Sequence, residues 1–127
     1  MVFEKENITE SIIGAAFDVH NELGYGFLEK VYQNAMLVAI KDRGLFTESE
    51  VAIELYFKDS LVGEYRADLV VDDVIVELKV SAQYNTQDEA QLLNELKATK
   101  SRIGLLINFG RDKVEFKRFI STSFTSA

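Results

Sequence analysis

From Asn7 onward apolar residues recur at three- and four-residue spacing (Ile8, Ile12, Ala15, Ala16, Val19, Leu23), which predicts a helix ending at Gly24-Tyr25-Gly26. Asn7 and Glu10 would form its capping pair. A second helix is expected from about Phe27 to Arg43, with Leu28, Val31, Tyr32, Ala35, Val38 and Ala39 on its apolar side and Gly44 as its stop. The period then changes. Val51, Ile53, Leu55 and Phe57 alternate with polar or small residues, as in a strand, and two more strands follow at about 61–71 and 74–80, separated by Asp72-Asp73. Thr86 and Glu89 open a third helix to about Lys100 with a Thr-x-x-Glu capping box. Gly104 to Gly110 reads as a buried strand and Lys113 to Ile120 as a more exposed one. Three consecutive strands imply an antiparallel meander, and a helix before the fourth permits a parallel crossover, so an α/β sandwich with a mixed sheet is predicted.

At 127 residues, with 47% hydrophobic and 11% aromatic residues, the chain can build one core but not two comparable ones. A single domain is expected over 1–120, followed by a short flexible tail, 121–127. There is no cysteine, which excludes disulfide frameworks, thiolate metal sites and cysteine nucleophiles. No apolar run is long enough to span a bilayer and the N-terminus does not read as a signal peptide, so a soluble, cytoplasmic protein is expected, with no membrane partner. The net charge of -7 is uneven: residues 1–60 carry -6 and residues 61–127 carry -1. Within the second half, Lys97 to Arg118 is net +5, either a local basic surface or ordinary solvated faces.

If Asp72-Asp73 is a two-residue turn, partners across the hairpin sum to 145, and Asp68 stands opposite Glu77. Directly opposed like charges repel, so something positive must lie between them. In that register Arg66 faces Lys79, and the four form a polar quartet in an otherwise apolar hairpin. Two readings are open. Asp68 with Lys79 and Arg66 with Glu77 would make a salt-bridge lattice. Alternatively, the two carboxylates hold a hard divalent cation, and Lys79, two residues beyond Glu77 on the same face, orients a water or stabilises charge on a phosphate.

Asp68 followed by Glu77-Leu78-Lys79 resembles the Asp...(Asp/Glu)-x-Lys motif of the PD-(D/E)XK nuclease superfamily. Gly26-Phe-Leu-Glu29-Lys-Val-Tyr32 is similar to the signature of the GxxExxY protein family, a branch assigned to that superfamily. Val19-His20, Leu23 to Gly26, Ala90 to Asn94 and Gly104 to Gly110 agree as well, so the resemblance covers roughly Asn7 to Ile120. Ala67 stands in place of the motif's proline, Tyr25 where relatives often carry proline, and Glu95 where they often carry tyrosine.

The resemblance implies a restriction-endonuclease-like α-β-β-β-α-β core, a mixed sheet flanked by helices, with an extra N-terminal helix. It implies a metal site of Asp68 and Glu77 helped by Glu29, with Lys79 beside it and Gln91 near it from the third helix. The cofactor would be Mg²⁺ or Mn²⁺, and the activity phosphodiester hydrolysis in nucleic acid, DNA or RNA. A catalytically inactive binding or assembly module of the same fold is the alternative, and a homodimer is open. With one histidine, His20, no His-based metal site can form, and packing is its expected role. Tyr32 is expected in the core or just behind the site. No phosphate-binding glycine loop, Ser-His-Asp set or dinucleotide fingerprint is present.

Overall fold

The computed structural model describes residues 2–83, 85–99, 101 and 103–121, with the backbone alone for residues 2–6. The first helix, α1, spans Val2–Leu23. It starts earlier than expected, so Asn7 and Glu10 lie inside it rather than at its cap. Ile12, Ala15, Ala16 and Val19 form its buried stripe. The N–H of Gly24 bonds back to the His20 carbonyl at 2.8 Å, and φ values of 70° at Gly24 and 114° at Gly26 let the chain reverse where a side chain would be strained. Helix α2, Glu29–Asp42, buries Tyr32, Gln33, Met36 and Ile40. The apolar side drawn from the sequence is rotated from this one: Leu28, outside the helix, is 78% exposed and Val38 61%. Packing of α2 against both α1 and the sheet selects the buried stripe, and Gln33 belongs to it.

Strand β1, Thr47–Phe57, starts four residues before the alternation suggested. Strands β2, Ser60–Val71, and β3, Val74–Lys79, follow, then helix α3, Thr86–Thr99, and strands β4, Ile103–Asn108, and β5, Glu115–Ile120. The sheet order is β1-β2-β3-β4-β5. Only β3 and β4, joined through α3, run parallel; the other pairs are antiparallel. The sheet is therefore mixed, as expected. Asn85 caps α3, its Oδ1 accepting the Gln87 N–H at 2.9 Å, in place of the Thr86–Glu89 box; Glu89 instead pairs with Lys117.

Two cores sandwich the sheet. Val74, Val76, Leu78, Leu105, Ile107 and Phe109 pack against α1 and α2, whereas Ile75 and Leu106 pack against Leu92 and Leu96 of α3. The alternation of β3 thus puts Ile75, Glu77 and Lys79 on the α3 face. Beyond β4, Gly110 crosses the end of β3 so closely that a Cβ would lie 2.4 Å from the Val80 carbonyl carbon. Only glycine fits there. His20 packs as expected, 7% exposed, its Nε2 at 2.8 Å from the Arg111 carbonyl. Among the described residues no helix is long and apolar enough to cross a membrane.

Candidate active site

The Asp72-Asp73 turn is a two-residue hairpin, with Val71 opposite Val74, Val70 opposite Ile75 and Leu69 opposite Val76. The 145 register therefore holds, but the ladder stops one pair short of Asp68 and Glu77. On the other side of β2 the ladder passes from Ser49–Leu69 to Val51–Ala67, skipping Glu50, whose φ is 52°. Pairing is interrupted on both sides of Asp68. The strands splay there, and the Leu78 N–H, freed from the ladder, donates to Asp68 Oδ2 at 2.8 Å. From α2, Gln33 Nε2 donates to the Asp68 carbonyl at 2.9 Å.

The splay also dissolves the expected quartet. Arg66 faces Ala52 of β1 and donates to the Glu50 carbonyl at 3.1 Å. Lys79 sits beside Asn108 of β4 and pairs with Asp88 of α3 at 3.5 Å. The salt-bridge lattice is not the arrangement adopted.

What gathers instead is a chain of carboxyl groups. Glu29, the first residue of α2, and Asp68 lie within hydrogen-bonding reach; so do Asp68 and Glu77, and Glu77 and Glu95. Glu77 is 3% exposed and Glu95 fully buried. Burial, then Glu95 and Asp68, push the Glu77 carboxyl up to about 11. Burial and the neighbouring Asp68 also raise Glu29. For Lys79 burial pulls downward, but Asp88, Glu29, Glu77 and Asp68 together outweigh it, and its ammonium is held above the usual value. Gln91, half-buried on α3, donates to Glu95 Oε2 at 3.1 Å.

Glu77 Oε2 and Glu95 Oε1 are buried without a hydrogen-bond partner. Two unsatisfied carboxylate oxygens in an apolar layer are costly unless a proton or a cation lies between them. With only oxygen donors at hand, the chemistry suits a hard cation such as Mg²⁺ or Mn²⁺. The residues thus fit such an ion in donor type. Among the described residues, however, no three histidine, cysteine, aspartate or glutamate side chains are grouped so as to hold a metal ion.

Glu29 is placed by the loop before it. Tyr32, stacked on Phe109 with centroids 4.7 Å apart, donates its hydroxyl to the Gly24 carbonyl at 2.6 Å and accepts the Phe27 N–H at 3.4 Å. The spacing Gly26, Glu29, Tyr32 thereby reads as a device: a turn, an acid on the first turn of a helix, and an aromatic group that ties the turn down. Next to Lys79 opens a cavity of about 240 Å³, lined among others by Asp88, Asn108, Arg111 and Lys117. The basic stretch does not form one surface, since Lys117 pairs with Glu89 of α3 and Arg118 reaches Thr9 of α1 on the opposite face; Lys100 and Arg102 lie outside the described residues. Sequence reasoning missed Gln33, Asp88 and the burial of Glu95. The one available signal was that Glu95 lies between Leu92 and Leu96 at core spacing.

The chain belongs to the PD-(D/E)XK nuclease superfamily, whose family model matches residues 6–119. Among solved structures it is similar to one titled crystal structure of SSO0001, with a TM-score of 0.59 at 17% identity, over 72% of this chain and 49% of that one. The chain thus spans about half the length of SSO0001, and a likeness at that identity speaks for the fold. None of the curated proteins compared with it matches.

Proposed function

We propose that this chain is a divalent-metal-dependent nuclease of the GxxExxY branch, hydrolysing phosphodiester bonds in DNA or RNA. The observation that carries the reading is the fork at Asp68 and Glu77, where β2 and β3 part, with Lys79 two residues further on the same face. When bound, Mg²⁺ or Mn²⁺ supplies an activated water and offsets charge on the phosphate. Asp68 and Glu77 offer carboxylate oxygens, and Glu29 reaches toward them from α2. Lys79, kept charged by its carboxylate neighbours, donates hydrogen bonds to a water or a phosphate oxygen rather than taking a proton. Gln91 acts through Glu95, whose carboxylate it orients. The cavity beside Lys79, with Arg111 and Lys117 on its wall, would admit the backbone of a nucleic acid.

A second reading is a catalytically inactive module that binds or assembles. It is favoured by the net charge of -7, since nucleic-acid binders usually carry a basic footprint. Incubation with single- and double-stranded DNA and RNA separates the two. The nuclease reading expects products that require Mg²⁺ or Mn²⁺ and disappear in Lys79→Ala. Absence of products from every substrate with either metal, or equal cleavage by Lys79→Ala, would overturn it.

A further inference from the structure

Helix α2 carries more apolar residues than the core uses. Its buried residues are Tyr32, Gln33, Met36 and Ile40, which leaves Ala35, Val38 and Ala39 outside that stripe. With Val19 and Leu23 of α1 they line a groove of about 520 Å³ between the two helices, against about 240 Å³ for the cavity beside Lys79. Val19 is buried and Leu23, Ala35 and Ala39 are half-buried, so these four make the floor, and the short alanine side chains keep it open. Val38 stands on the rim, 61% exposed. A lone exposed valine is ordinary on a protein surface; one at the lip of a concave apolar floor marks a place for a partner.

The rest of the rim is acidic. Asp18 and Glu22 stand one helical turn apart on α1, and Asp42 lies one turn beyond Val38 on α2, all three exposed. Arg43 is the only cation among the lining residues, and it is already engaged. Its guanidinium bonds Asp18 at 2.9 Å and rests on Gly14, where a Cβ would lie 2.9 Å from it. Glu22 and Asp42 make no ion pair among the described residues, so they leave the rim negative. Both belong to residues 1–60, which carry -6 of the net charge of -7.

That charge selects the occupant. Nucleic acid and an anionic lipid surface are repelled, and a second copy of an acidic chain would bring more acid to an acidic rim. An amphipathic helix with basic flanks matches both features, since its apolar face would cover the floor while lysine or arginine side chains meet the rim. We propose that the α1–α2 groove docks a basic amphipathic helix of a partner protein, seated on Val19, Leu23, Ala35 and Ala39 and held at its edges by Glu22 and Asp42. The groove shares no lining residue with the cavity beside Lys79, so the inference stands whether or not the chain cleaves nucleic acid.

The test is fluorescence anisotropy of a labelled synthetic helical peptide, with leucine on one face and lysine on both flanks, titrated with the full chain. A second peptide carries glutamate in place of each lysine. Wild type should bind the basic peptide and not the acidic one. Val38→Asp, and separately Glu22→Lys combined with Asp42→Lys, should weaken binding at least about tenfold. Glu48→Lys combined with Glu64→Lys changes the net charge equally at exposed positions of β1 and β2 and should bind as wild type does. Circular dichroism checks that each variant folds; if Val38→Asp does not, the two charge reversals still decide. No binding of the basic peptide, equal binding of the acidic one, or equal loss in both charge-reversed chains would overturn the inference. Self-association of the chain in sedimentation that Val38→Asp abolishes would overturn it as well, by giving the groove to a second copy.

Discussion

Asp68 accepts the backbone N–H of Leu78 through Oδ2 at 2.8 Å, so a side chain occupies the place that the β2–β3 ladder vacates. This one bond lets the sheet open at the fork without orphaning a backbone donor. Asp68→Ala should therefore cost about 1–3 kcal/mol, the penalty of leaving a buried donor unpaired. Asp68→Asn keeps an acceptor and should lose less than half as much, while losing divalent-cation affinity. Urea unfolding of both variants checks the first part; equal stability of Asp68→Ala and wild type would contradict it.

The pH dependence of stability follows from Glu77. Its carboxyl is raised from an ordinary 4.5 to about 11 by burial and by its acidic neighbours, so between those values the folded chain holds a proton that the unfolded chain releases. Stability conferred by that neutral carboxyl is complete below about pH 4.5 and is lost as pH rises toward 11, with a slope of up to about 1.4 kcal/mol per pH unit. The raised Glu29 carboxyl works in the same direction. Lys79, also raised, loses its contribution only as pH climbs through its folded value above 10.5, and leaves the neutral range unaffected. Metal-free wild type should thus be less stable at pH 8.5 than at pH 6, and Glu77→Gln should flatten the profile. Chemical denaturation across pH measures this, and a profile unchanged by the substitution would refute the assignment.

Tyr32 joins the fold to the site. Tyr32→Phe keeps the stack on Phe109 but removes the hydroxyl that holds the Gly24 carbonyl. The expected loss is about 0.5–1.5 kcal/mol, together with a looser entry into α2 and reduced cleavage through Glu29. Thermal unfolding and a cleavage assay on the same variant test the pair. A stability loss with full cleavage would separate the loop from the chemistry.

Element order and the hairpin register were legible in the sequence because both follow from periodicity and from the length of one turn. Once Asp72-Asp73 is a two-residue loop, Val71 must face Val74, and the sum carries outward as far as Leu69 and Val76. The splay at Asp68 was not legible, since nothing in the hairpin's own alternation marks where its ladder ends, nor that β1 skips a pair at Glu50 beside it. The quartet failed for that reason. Glu95 and Gln33 were hidden differently: a polar residue in an amphipathic helix reads as solvated unless the packed face is known, and the buried face of α2 is rotated from the one that its apolar residues outline. Asp88 as the partner of Lys79 required the docking of α3 on the sheet.

Gln33 offers the sharpest check on how α2 supports the fork. It is 4% exposed and lies one helical turn beyond Glu29. Its Nε2 is the donor to the Asp68 carbonyl, so it pins the strand that carries one proposed ligand to the helix that carries another. Gln33→Met preserves volume and apolar packing but supplies no donor; the carbonyl would be left unpaired at a cost of about 1–3 kcal/mol. Gln33→Glu should be worse at neutral pH, because an ionised carboxylate would face a carbonyl oxygen and the acids already gathered nearby. Both variants should also bind Mn²⁺ more weakly than wild type, since the backbone of Asp68 would lose its hydrogen bond to α2. Urea unfolding and calorimetry on Gln33→Met give the two readouts separately. Stability and affinity both matching wild type would mean that β2 is fixed at the fork without α2, and that Glu29 and Asp68 meet only through their side chains.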